Sequence, residues 1–137
     1  MRPQIFINLP VKDIEKSMYF YIKMGFTNNP WFSDDTAKYL VFSEEIFVML
    51  WTHDKFKSFA TKPISDASKT TAVLLSLALE SIDKVNEIVV NAVSAGGKEP
   101  VQPKDYGFMQ QRTLEDLDGH TWEIFFMDIS KMPQLQS

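Results

Sequence analysis

The side chain best placed to do chemistry is Glu123. It stands between Trp122 and Ile124 in the run Asp116-Leu117-Asp118-Gly119-His120-Thr121-Trp122-Glu123-Ile124-Phe125-Phe126. Asp118 and Gly119 supply the backbone freedom of a tight turn. The aromatic and β-branched run behind them reads as a strand. Alternation along that strand sends Glu123 to one face and Trp122 and Ile124 to the other. Composition alone favours a solvent-facing glutamate. The alternative is a carboxylate aimed into a cavity, where it would anchor a ligand or bind a metal. Such a group needs a partner or a raised pKa, and the expected partners are a histidine, Arg112, Tyr106 or water.

The two imidazoles are His53 and His120. His120 follows the turn glycine and is expected at the surface. His53 lies just past a strand ending at Trp51 and would edge a cleft. With no cysteine, thiolate metal sites and disulfides are excluded. No glycine-rich phosphate loop, no spaced Ser-His-Asp set and no zinc-type histidine pair is present.

These groups need elements to hold them. Gln4 to Pro10 reads as a strand, and Asp13 as the N-cap of a helix reaching Met24, with Gly25 as its stop. Thr27 to Ser33, Ala37 to Phe42 and Ile46 to Trp51 read as three short strands. From Thr52 to Thr70 the chain is polar and interrupted by Pro63, with a helical turn expected over Asp54 to Phe59. This is long for a loop inside a domain, as a linker or lid would be. The pattern then recurs: strand Thr71 to Leu79, N-cap Ser81, an apolar stripe of Ile82, Val85, Ile88, Val89 and Ala92, and a stop at Gly96-Gly97. Strands follow over Glu99 to Gln102, Met109 to Glu115 and Thr121 to Met127. Tyr106-Gly107-Phe108-Met109 forms a loop able to close over a ligand. The tail from Asp128 is expected to be loosely held. Val11-Lys12-Asp13-Ile14-Glu15-Lys16 and Leu79-Glu80-Ser81-Ile82-Asp83-Lys84 match in residue type at each position, which marks an internal repeat.

At 137 residues, 45% of them hydrophobic, the chain can build one real core. A net charge of −4 with no basic cluster argues against nucleic acid. No apolar run is long enough to span a bilayer, and the N-terminus lacks the pattern of a signal peptide. A cytoplasmic location and no membrane partner are therefore expected.

Two βαβββ halves with these junctions resemble the glyoxalase, bleomycin-resistance and extradiol dioxygenase (vicinal oxygen chelate) superfamily. The residues that carry the likeness are Asn8-Leu9-Pro10-Val11-Lys12-Asp13, Gly25-Phe26, Ala95-Gly96-Gly97 and Asp118-Gly119-His120-Thr121-Trp122-Glu123. The resemblance implies an α+β fold of two modules, about 1–52 and 71–128, joined by the connector 53–70. Each module curls into a cupped sheet, and two modules form a cleft within one chain or across a homodimer. Metal-dependent members hold one divalent ion there through oxygen and imidazole ligands. Glu123 falls at the final carboxylate ligand. The first-strand positions are Phe6 and Leu74, and the remaining one falls at Val48 or Met49. All of these are apolar.

The resemblance thus implies the fold more firmly than the chemistry. The first reading is a protein that binds a small organic molecule in an aromatic cleft without a standard metal site or cofactor. Phe6, Met49, Trp51, Leu74, Tyr106, Phe108 and Glu123 would line that cleft, with Phe47 and Trp122 as further aromatic candidates. The alternative is a metal-dependent lyase or dioxygenase with displaced ligands, in which Glu123 and His53 are the candidates. A third is a closed cleft and a working interaction surface.

Overall fold

A computed structural model describes residues 1–132. Strand β1 (Ile5–Val11) leads into helix α1 (Ile14–Met24), followed by β2 (Thr27–Asn29), β3 (Ala37–Val41) and β4 (Ile46–Thr52). A short helix α2 (His53–Lys57) opens the connector. Strand β5 (Leu75–Leu79), helix α3 (Ile82–Ser94), and strands β6 (Lys104–Asp105), β7 (Met109–Glu115) and β8 (Thr121–Met127) repeat the order. The fold is α+β, with two four-stranded mixed sheets ordered β1-β4-β3-β2 and β5-β8-β7-β6. In each, the first strand (β1 or β5) lies at one edge and runs parallel to its neighbour, and the other pairs are antiparallel.

Local chemistry explains the boundaries. The Asp13 carboxylate accepts from the Lys16 N–H at 3.1 Å, and the Ser81 hydroxyl does the same for Lys84. Each satisfies an orphan donor of a first helical turn. Gly25, at φ 123°, ends α1 while its N–H reaches back to Tyr21 and Ile22. One face of α1 (Ile14, Ser17, Phe20, Tyr21, Met24) and one of α3 (Val85, Ile88, Val89, Ala92) are buried. They join Leu9, Val11, Leu40, Val48, Leu50, Leu77, Leu114, Trp122 and Ile124 in a core drawn from both sheets. Tyr21 and Phe26 meet Trp122 directly, with ring centroids 6.0 and 6.1 Å apart.

Four elements differ from the expectation. The strand expected over Thr27 to Ser33 stops at Asn29. Pro30 then opens a 3-10 turn to Phe32, held by the Asn29 side chain. Glu99 to Gln102 forms no strand. Pro100 and Pro103 have no N–H to give a ladder, so only a bridge from Lys98 to Glu115 and the two-residue β6 form. Thr71 to Leu74 stays outside β5, and the connector helix starts at His53. Of the tail, Asp128 caps a 3-10 turn over Ile129–Lys131. Residues 133–137 lie outside the described part. Among the described residues, no helix is long and apolar enough to cross a membrane.

Candidate functional site

The alternation of β8 separates its residues sharply. Trp122 and Ile124 are buried in the core, while Glu123 lies half-buried on the opposite face. There its Oε2 accepts hydrogen bonds from Gln111 Nε2 and Thr113 Oγ1, both at 2.8 Å. Oε1 takes part in neither. Strand register explains the partners: Thr113 lies opposite Glu123 on β7, and Gln111 one pleat further along the same face. The expected partners are not used. Arg112 has the other parity and turns away, where its guanidinium meets Glu99 through two bonds of 2.7 Å and Asn86 through one of 2.9 Å. That pairing holds Glu99 below its usual range, chiefly through the hydrogen bond, and raises Arg112. Tyr106 is exposed in the turn before β7.

Ser76 on β5 is the residue paired with Glu123 across the sheet, and it was not among the sequence candidates. Leu74, two residues earlier, is exposed ahead of the strand. The signal that finds Ser76 is the parallel register of β5 and β8, which the sequence of one strand does not carry.

The first sheet offers a different surface. Phe6, Phe47 and Tyr39 share a face: Phe6 stacks on Phe47 at 4.5 Å and meets Tyr39 edge-on at 5.6 Å. Phe32 extends this cluster, 5.6 Å from Tyr39. Met49 and Trp51 follow on β4, opposite Asn8 and Pro10. The Trp51 indole N–H donates to Asn8 Oδ1 at 2.8 Å, and its ring meets Phe59 of the connector. Val48 points into the core.

Phe108 lies just before β7, where its carbonyl accepts from the Asp128 N–H at 2.7 Å. The main cavities of the chain, of about 410 to 500 Å³, contain none of Glu123, Phe6, Met49, Trp51, Leu74, Tyr106 or Phe108. In a single chain Phe6, Met49 and Trp51 lie on the first sheet, Glu123 on the second, and Leu74, Tyr106 and Phe108 in segments just before strands of the second.

His120 is not free at the surface. Its Nε2 is 2.8 Å from the Pro10 carbonyl, tying the turn before β8 to the end of β1. His53 is exposed at the start of α2, in a cavity that also holds Lys12, Asp66, Asp118 and His120. Neither histidine lies beside Glu123. The positions Phe6, Met49, Leu74 and Glu123 supply one hard donor and no imidazole, so they do not fit a divalent ion that needs several oxygen or nitrogen ligands. Among the described residues no three His, Cys, Asp or Glu side chains group as a metal site.

Residues 5–124 match the sequence profile described as Glyoxalase/Bleomycin resistance protein/Dioxygenase superfamily. The chain belongs to that superfamily. Solved structures agree on the fold. A hypothetical protein, SA1046, from S. aureus is 25% identical over 92% of this chain and 95% of its own, with a TM-score of 0.75. A glyoxalase/bleomycin resistance protein/dioxygenase family enzyme from Burkholderia phytofirmans is 17% identical, covering 92% and 99%, at 0.71. The fosfomycin resistance protein FosX from Listeria monocytogenes is 16% identical, covering 96% and 98%, at 0.68. No curated protein sequence matches the chain. Within the superfamily, this member departs from the metal-binding pattern at each position except Glu123.

Proposed function

We propose that the protein binds a small organic molecule between an aromatic sheet face and the Glu123 face, without a standard four-ligand metal site. The observation that carries the reading is the state of Glu123. It is a carboxylate on the open face of a sheet, oriented by two hydrogen bonds to one oxygen, with the other oxygen left for a donor. A carboxylate fixed in this way favours a cationic or hydroxyl-bearing ligand. Phe6 and Tyr39, backed by the buried Phe47, give the first sheet a surface for a flat or cationic group, where a cation over a ring is worth roughly 0.5 to 2 kcal/mol. Phe108 and Tyr106 stand at the end of the Glu123 sheet and would edge the ligand.

The cleft would be completed by a second copy, giving a homodimer. Strands β1 and β5 are sheet edges with unpaired backbone groups. Exposed Ile5 and Phe6 on one, and Val73 and Leu74 before the other, give those edges apolar flanks. Light scattering that returns a monomer mass at tens of micromolar would remove this part of the proposal.

Thermal-shift screening with a library of small aromatic amines and polyols tests the binding. A ligand at one hundred times its Kd raises stability by about 2.7 kcal/mol. Glu123→Gln keeps the shape and removes the charge, and is expected to abolish the shift for cationic hits. Hits bound equally by the variant would refute the anchoring role. A stoichiometric divalent ion in protein purified without chelator would overturn the metal-free reading and favour the lyase or dioxygenase chemistry instead.

A further inference from the structure

The edges of β1 and β5 do not pair with each other, and the space beside them is not filled. A cavity of about 480 Å³ lies there under connector residues 60–73. Its floor is Asn8, Leu9 and Pro10 of β1, Leu75 of β5, and Gly119, His120 and Thr121 at the entry to β8. Its roof includes Phe56, Ala60, Ile64, Ala67, Ala72 and Val73. The roof comes close to the floor at Gly119. The Asp66 carboxylate accepts from the Ser68 N–H and hydroxyl at 2.9 and 2.6 Å, which folds the connector into a turn. That turn presses on Gly119 so closely that a Cβ there would be 2.7 Å from the Ala67 carbonyl oxygen.

The polar groups of the floor are already taken. Asn8 accepts from Trp51 and donates to the Phe6 carbonyl, His120 meets the Pro10 carbonyl, and Thr121 donates to the Gly119 carbonyl. Lys62 is the lysine at this cavity, and no Asp, Glu or Arg lines it. Lys62 makes no ion pair among the described residues. A chamber of ligand size, lined by apolar side chains together with Thr61, Ser65, Thr70 and Thr71 and carrying one cation without an ion pair among the described residues, suits an amphiphilic anion.

We propose that this cavity is a second, intramolecular binding site for a small amphiphilic monoanion. The ligand would be a medium-chain or aryl carboxylate, with its apolar body against Leu9, Phe56 and Leu75 and its carboxylate at Lys62. The site is independent of Glu123, whose side chain does not line it.

Octanoate and its uncharged analogue octanol serve as probes, titrated by calorimetry against the full chain. The parent binds octanoate more tightly than octanol. Lys62→Gln, at an exposed position, brings octanoate down about three-fold, to the level of octanol, as expected for one screened ion pair. Ala60→Phe fills the chamber and removes both. Glu123→Gln leaves octanoate binding unchanged, so this site stands or falls separately from the cleft. Absence of octanoate binding by the parent at millimolar concentration overturns the proposal. So does binding that neither Lys62→Gln nor Ala60→Phe alters.

Discussion

Removing one oxygen atom at Tyr21 is expected to destabilise this protein more than most surface changes. The Tyr21 hydroxyl is fully buried, donates to Asp116 Oδ2 at 2.6 Å and accepts from the Trp122 indole N–H at 3.1 Å. Tyr21→Phe therefore takes a donor from a buried carboxylate and an acceptor from a buried indole. A hydrogen bond to a charged group contributes about 1.5 to 3 kcal/mol, and a buried donor left unpaired costs about 1 to 3 kcal/mol. The two overlap in one network, so the expected loss is about 3 to 4 kcal/mol at pH 7 rather than their full sum.

The loss depends on pH in a defined direction. Burial pushes the Asp116 carboxyl above its usual range, opposed by the charge of His120 and by hydrogen bonds from Tyr21 and the backbone. A folded pKa above the unfolded one means that stability falls as pH rises from the ordinary carboxylate range through the raised value. Without the Tyr21 donor that raised value moves further up, so the gap between parent and variant widens with pH. Urea unfolding of Tyr21→Phe, Trp122→Phe and the double variant, at pH 4.5 and 7, measures this at fixed protein concentration. The double variant has no orphan indole, so it should lose less than the two single losses added together. A Tyr21→Phe loss under 1 kcal/mol at pH 7, or strict additivity of the pair, would refute the network.

Other consequences are as direct. Gly119→Ala places a Cβ against the Ala67 backbone at a φ of 94°, and is expected to cost about 2 kcal/mol in chemical denaturation and to expose the connector to protease. Gly97→Ala meets no strain from a positive φ, but its Cβ would stand 2.7 Å from the Phe20 ring and 3.0 Å from the backbone carbonyl oxygens of Ala92 and Glu115. A melting temperature lower by several degrees is expected. Arg112→Met leaves Glu99 without its two donors and should destabilise by about 1 to 2 kcal/mol at pH 7. Glu99 has a lowered folded pKa, so this contribution is present above the ordinary carboxylate range and lost as pH falls through the lowered value. The parent and Arg112→Met should therefore converge in acid, which a pH series of melting curves reads directly.

Much of this architecture is legible in residue spacing. The Asp13 and Ser81 caps, the stops at Gly25 and Gly96, and the alternation of β8 are local signals, and each sits where those signals place it. The side of β8 that Glu123 occupies follows from period two alone. What surrounds Glu123 does not. Gln111 and Thr113 depend on the register of β7, and Ser76 on that of β5. His120 looks like a surface residue because its partner, the Pro10 carbonyl, is 110 positions away in sequence. The stretch Glu99 to Gln102 lies between turn signals where a strand is expected, yet Pro100 within it and Pro103 beside it leave too few donors. The cavity under the connector is set by how far apart two edge strands stand, which no local pattern encodes.

The bond between Tyr21 and Trp122 also bears on how the chain is made. The two residues are 101 positions apart, so the inner face of α1 leaves the ribosome long before the strand that covers it. At roughly 5 to 20 residues per second, that interval is about 5 to 20 seconds. During it, Phe20, Met24 and Phe26 wait without the second half of their core. Truncation anywhere before β8 makes that wait permanent. Such fragments are expected to go to chaperones or inclusion bodies rather than persist as a folded half.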